Sequence, residues 1–294
     1  MMAVRRLRTK RAPRARSVAV GVCLLALTAC VVCRLPALAK RLEPSARIVS
    51  LAPSLTEIAF AIGCGPQLVA DTIYDDYPEQ ARRLPHVADL VQADLEAIAA
   101  LHPTVVLALH DQEQEAEPIR ARLQIGVEYL PNRRLDDLFI DIDRVGRACS
   151  RTDAAHALAQ SLRVKLRAVA ARTSHTQHRP RVFFLLDLPG FTAGRGSFIG
   201  DLISLAGGVN VAGGIAQPYP NVTAEWLLQA DPDIIIVSRA TPFGPDVRNS
   251  APWKSTHAVQ QGRVFRPPSD DVLQRNGPRI VSGLAWLASA FRSR

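Results

Sequence analysis

Apolar and polar positions along this chain follow two periods that take turns, short continuous apolar runs and longer stretches spaced by three or four. The run Ile48-Val49-Ser50-Leu51 and another over 182–186 read as buried strands. Each leads into a helix that stops at glycine. After the first strand, Pro53-Ser54-Leu55-Thr56-Glu57 predicts a capping box, with Ser54 as cap and Glu57 reaching back, and a helix over 55–62 closed by Gly63 and Gly65. After the second, Gly190, Gly194 and Gly196 precede Ser197, a helix over 198–206, and Gly207-Gly208.

A closer echo follows in each half. DLEAIAALHPTVVLAL, from Asp94, matches TAEWLLQADPDIIIVS, from Thr223, at an offset of 129 residues. Asp94 and Thr223 are N-cap residue types, Glu96 pairs with Glu225, and Pro103 and Pro232 each precede a β-branched strand. The chain is therefore expected to hold two copies of one α/β design. Alternating strands and helices predict two lobes with mainly parallel central sheets flanked by helices, and a ligand at the strand ends between them. Between the copies, residues 150–174 contain no Gly or Pro. Their apolar positions Ala155, Leu158, Leu162, Leu166 and Val169 predict one long connecting helix, hence a stiff hinge with small closure motions. The expected domains are a lobe over 40–149, the connector over 150–174 and a lobe over 175–294.

Composition changes this picture at the N-terminus only. The formal charge is +9, but residues 1–39 carry eight basic residues and no acid, leaving +1 on the rest. A nucleic-acid partner is not expected. Basic residues to Arg16, an apolar run over 18–33 and Ala37-Leu38-Ala39 read as an export signal, with a mature chain from about Lys40. Leu27-Thr28-Ala29-Cys30 also fits a lipoprotein signal, so the location is either free periplasmic or lipid-anchored through Cys30. Beyond the leader two cysteines remain, Cys64 and Cys149, which form either a disulfide or two small buried thiols.

Little here points to catalysis. His102 with His110 and Asp111, and His175 with His178, lack a convergent metal or acid–base pattern. GRGSFIG lacks the Gly-Lys-Ser/Thr ending of a P-loop and reads as a turn for close backbone approach. A hydrolase-like enzyme using Asp187, His110 and Ser197 is the distant alternative. It would need a nucleophile elbow, and none is visible.

Five segments in order, RIVSLAPSLTEIAFAIG, YDDYPEQARRLPHV, DLEAIAALHPTVVLAL, GRGSFIGDLISLAGGVNV and NGPRIVSGLAWLA, make residues 46–291 resemble the periplasmic binding proteins for cobalamin, haem and ferric siderophores. Within that family the chain is most similar to those serving vitamin importers. The resemblance implies a non-enzymatic solute-binding component of an ABC importer, a monomer when free, that delivers cobalamin or a related corrinoid to a permease dimer with a cytoplasmic ATPase. It places Glu96 and Glu225 as permease-docking residues, one per lobe, as a two-fold partner requires. It places Tyr74, Tyr219 and the loop Asp271, Val272, Leu273, Gln274 and Arg275 at the ligand. Tyr219 stands where cobalamin carriers have a tryptophan. Leu109, His110 and Val272 depart from the family's aromatic and basic positions. Haem or a ferric chelate is the alternative ligand, with Tyr77 or Tyr74 toward iron and Arg195 and Arg275 toward anionic groups.

Overall fold

The computed structural model describes residues 46–89, 92–173 and 178–293. The expected export signal, Cys30, Lys40 and His175 lie outside the described residues.

The first lobe is built on one parallel sheet, ordered β3-β2-β1-β4-β5, from β1 (Ile48–Ser50), β2 (Leu68–Thr72), β3 (His86–Ala88), β4 (Val105–Leu109) and β5 (Gly126–Leu130). Parallel strands need crossovers, which put helices on both faces. These are α1 (Pro53–Ala61), α2 (Leu95–Ala100), α3 (Glu113–Leu123) and α4 (Asp137–Ala148). The second lobe orders β10-β9-β6-β7, where β6 is Arg181–Asp187, β7 Phe191–Thr192, β9 Ile234–Val237 and β10 Val264–Phe265; β8 (Val209–Asn210) also pairs with β6. Among the described residues of this sheet only β7 runs antiparallel.

One helix joins the lobes, α5 (Thr152–Thr173), 22 residues long. Ala155, Leu162 and Leu166 are buried along one side, and Leu158 and Val169 pack against the same core. That core contains Ile48, Leu55 and Ile142 from the first lobe and Phe184, Leu202 and Ile280 from the second. A continuous apolar interface of this kind limits hinge motion between domains.

The repeat is physical. Asp94 accepts a bond from the Ala97 N–H at 3.0 Å to start α2, and Thr223 accepts one from the Trp226 N–H at 3.2 Å to start α7 (Ala224–Ala230). His102 and Asp231, at the same repeat position before proline, both take positive φ, 44° and 33°. Ser197 caps α6 (Phe198–Leu205) as expected, accepting from the Gly200 N–H.

The capping box at Ser54 and Glu57 does not form. Ala52 is the N-cap of α1 with no side-chain bond, and both Ser54 and Glu57 lie inside the helix and are buried. Pro53, favoured at the first helical position, starts the helix one residue before Ser54, so Ser54 falls inside it and Glu57 is left for another role. Cys64, just past α1, and Cys149, just past α4, are joined by a disulfide with Cα atoms 5.9 Å apart.

Candidate ligand-binding site

Each lobe carries exposed aromatic side chains, Tyr74 and Tyr77 after β2 on the first and Tyr219 in a loop against β7 on the second. Strand β2 ends at Thr72, and the turn after it is held by Asp75, whose carboxylate accepts from the Thr72 N–H at 2.9 Å and hydroxyl at 2.5 Å. The Thr72 hydroxyl in turn accepts from the Tyr74 N–H at 3.2 Å. Burial pushes Asp75 up despite these bonds from Thr72. With Asp75 turned inward, Tyr74 and Tyr77 project outward at 40% and 47% exposure. Asp71, one residue before Thr72, is fully buried with its Oδ1 2.6 Å from His86 Nδ1. Burial and the charge of Asp75 raise it to about 7, against the pull of His86.

From the second lobe, residues 270–279 reach back to this turn. Asp270 fastens the segment to the end of β9 by accepting from the Ser238 hydroxyl at 2.9 Å and the Arg239 N–H at 2.8 Å. Past α8 (Pro245–Arg248) and α9 (His257–Gln260), the short helix α10 (Asp271–Gln274) follows, then α11 (Ile280–Ala290). Gly283 of α11 lets the two approach, since a Cβ there would lie 2.0 Å from the Val272 carbonyl oxygen. Arg275 donates to Asp76 at 2.7 Å, to Glu57 at 3.2 Å and to the Tyr74 carbonyl at 3.0 Å, and pairs with Asp271 at 3.0 Å. Arg279 grips Glu57 with two bonds of 2.9 and 2.5 Å and lies 4.2 Å over the Tyr77 ring. Burial works against the charge of Arg275, but its bond to Asp76 and the charge of Asp271 hold it above its ordinary value. Asp76 is held low because the Arg275 bond outweighs its partial burial. Asn276 adds a bond from its amide to the Arg134 carbonyl at 2.9 Å.

Tyr219 comes from the loop laid against β7. Gly190 and Gly194 make that contact possible, because a Cβ would sit 2.4 Å from the Val222 carbonyl oxygen and 2.2 Å from that of Gln217. The glycine-rich stretch thus serves close approach of two backbones. Tyr219 packs on Phe191 with centroids 6.3 Å apart and remains 38% exposed. Burial and the charge of Asp111 push its hydroxyl upward, with Arg133 opposing and Asp201 adding to the rise. Asp111 and Arg133 follow β4 and β5, so Tyr219 stands across from the first lobe's strand ends. A second tie between lobes lies nearby, Arg134 on Asp201 at 2.8 and 2.9 Å.

The structure therefore brings Tyr74, Tyr77, Asp271 and Arg275 into one group and sets Tyr219 on the second lobe. Leu273 is a correction: fully buried in the shared core, its side chain anchors the loop and does not face a ligand. Val272 is partly buried against that core, and Gln274 is half-buried. Sequence reasoning passed over Glu57, Asp76, Arg279 and Phe191. Two arginines four residues apart, Arg275 and Arg279, and the acid pair Asp75-Asp76 beside two tyrosines were the available signals. Glu96 and Glu225 are exposed, each second in its helix. The hydrolase-like arrangement fails on Ser197, which is buried and spends its hydroxyl on Gly194 and the α6 cap. Among the described residues no His, Cys, Asp or Glu cluster could hold a metal ion.

Two lobes of mainly parallel sheet, one connecting helix and an aromatic-lined face between them define a two-lobed solute receptor. The chain belongs to the periplasmic binding protein family, whose sequence profile matches residues 48–270. It is 31% identical over 252 residues to the vitamin B12-binding protein of Yersinia pseudotuberculosis, covering 85% of this chain and 88% of that one. Among solved structures, the periplasmic vitamin B12-binding protein BtuF of Vibrio cholerae superposes with a TM-score of 0.73 at 28% identity, over 84% of this chain and 97% of that one. The periplasmic heme-binding protein RhuT of Roseiflexus, in apo form, superposes with a TM-score of 0.75 at 27% identity, over 84% and 98%.

Proposed function

We propose that this protein is the solute-binding component of an ABC importer and carries cobalamin or a related corrinoid between its lobes to a permease dimer. The observation that carries the reading is the placement of aromatics. Three of the chain's four tyrosines stand partly exposed, Tyr74 and Tyr77 in the turn after β2 of one lobe and Tyr219 in the loop against β7 of the other. A ring face offers broad dispersion contact to a flat macrocycle at low entropy cost. The name carried by the Yersinia relative supports a corrinoid in that place. Asp271 and Arg275 supply polar groups for the macrocycle's amide rim, and Gln274 lies in the same loop.

Glu96 and Glu225 are the docking groups in this reading. Each is oriented outward by the first turn of its helix, and repeat equivalence presents one carboxylate per lobe to a two-fold partner. Haem is the second reading, favoured by the half-exposed Tyr77 in the first-lobe turn and by the RhuT likeness. Both ligands are coloured. Protein purified from cells supplied with cobalamin, haemin or a ferric siderophore should carry the corrinoid visible spectrum, and a haem spectrum or a colourless protein in the cobalamin culture contradicts the proposal.

A further inference from the structure

The two arginines at the cleft are already answered by carboxylates. Arg275 and Arg279 face Glu57, Asp76 and Asp271, three acids for two guanidiniums. Glu57 is the inner member, with its side chain only 1% exposed and both oxygens bonded to arginine. Arg275 spends both terminal nitrogens, on Glu57 and Asp76 and on the Tyr74 carbonyl and Asp271. Arg279 spends its Nε and one terminal nitrogen on Glu57 and lays its face on the Tyr77 ring.

We infer that Glu57 is a specificity-determining positioning residue: by neutralising Arg275 and Arg279 from within, it turns the cleft against anionic ligands and toward neutral, amide-rimmed ones. The inference rests on the corrinoid reading and deepens it. A ligand carboxylate or catecholate arriving here meets guanidiniums whose charge is already balanced, beside the half-exposed carboxylate of Asp76; both Asp271 oxygens are engaged, by Arg275 and by the Ser269 hydroxyl. Juxtaposed like charges are a strong means of excluding wrong partners. A neutral amide rim can instead donate to the Asp76 carboxylate. Glu57 is the member that sets the balance, because it is buried, shared by both arginines and carried on a helix of the opposite lobe. Asp76, at 45% side-chain exposure, is the outer member.

The test is a comparison of two probes on the full mature chain. Affinities for cyanocobalamin, with its neutral amide rim, and for haemin, with two propionates, are measured for the wild type, Glu57→Gln and Asp76→Asn, with melting temperature as a control. The haemin-to-cobalamin affinity ratio is expected to rise at least tenfold in Glu57→Gln and severalfold in Asp76→Asn. A purely structural role would weaken both ligands together, so a ratio within twofold of wild type in both variants overturns the inference. If Glu57→Gln does not fold, the Asp76→Asn ratio decides alone. A wild type that prefers haemin contradicts the corrinoid reading, while the variants' ratios still decide the role of Glu57.

Discussion

Asp141 illustrates how a single buried group couples this protein to pH. It lies in α4, fully buried, and neither carboxyl oxygen has a hydrogen-bond partner among the described residues. Burial, with the charge of Asp137, raises it to about 8 from an ordinary 3.8, against Arg144. Between those values the native state holds a proton that the unfolded chain has released, so stability falls as pH rises from about 4 through about 8. Asp71, raised to about 7, acts in the same direction up to neutrality. Asp141→Asn carries no charge at any pH, so its stability relative to wild type should improve by roughly 4 kcal/mol from pH 5 to pH 8. Urea unfolding at both pH values measures this, and parallel profiles would mean Asp141 is ionised in the fold. Tyr219 is the residue to test for ligand contact. Tyr219→Ala should weaken corrinoid binding by about 1–2 kcal/mol if the ring stacks on the macrocycle, and an unchanged titration removes it from the site.

At the scale of elements, the disulfide and the repeat show where local sequence suffices and where it does not. Cys64 and Cys149 pin the ends of α1 and α4 across a sequence separation of 85 residues. Replacing both with alanine should lower stability by about 2–4 kcal/mol, as loss of a long closed loop predicts. Oxidised wild type and the double variant are compared by denaturant midpoint, and equal midpoints would show the link to be energetically idle. The cysteines alone left this pairing open, because spacing says nothing of distance in space. The α2–β4 and α7–β9 units were legible because their caps, prolines and β-branched strands are all local signals. The antiparallel β7 was not, being two residues long and positioned by Gly190 and Gly194 against a remote loop. Glu57 was misread for a similar reason. A nearby serine offered a local explanation, while its true partners lie 218 and 222 residues away. Tyr74, Tyr77 and Arg275 were found through family likeness, and their grouping was visible only in three dimensions.

For the whole molecule, a shared core and ion pairs tie the lobes together, and we propose that recognition by a permease reads surface groups on each lobe. Glu96 and Glu225, exposed at equivalent helix starts, are the groups we propose for that. Backbone bonding and the Thr223 hydroxyl hold Glu225 below its ordinary value, so it is charged at neutral pH. Glu96→Ala with Glu225→Ala should leave ligand affinity within about twofold while strongly reducing uptake through the cognate permease, since rim charges govern docking and association rate. Either single change should do less. Normal transport by the double variant, or loss of ligand binding by the isolated protein, would return both residues to simple helix-start acids.

If a corrinoid is held between the lobes, equilibrium titration of the purified protein with cyanocobalamin should saturate at one ligand per chain, with binding weakened by Tyr219→Ala. Saturation at two ligands, or no binding of cyanocobalamin at all, would contradict it.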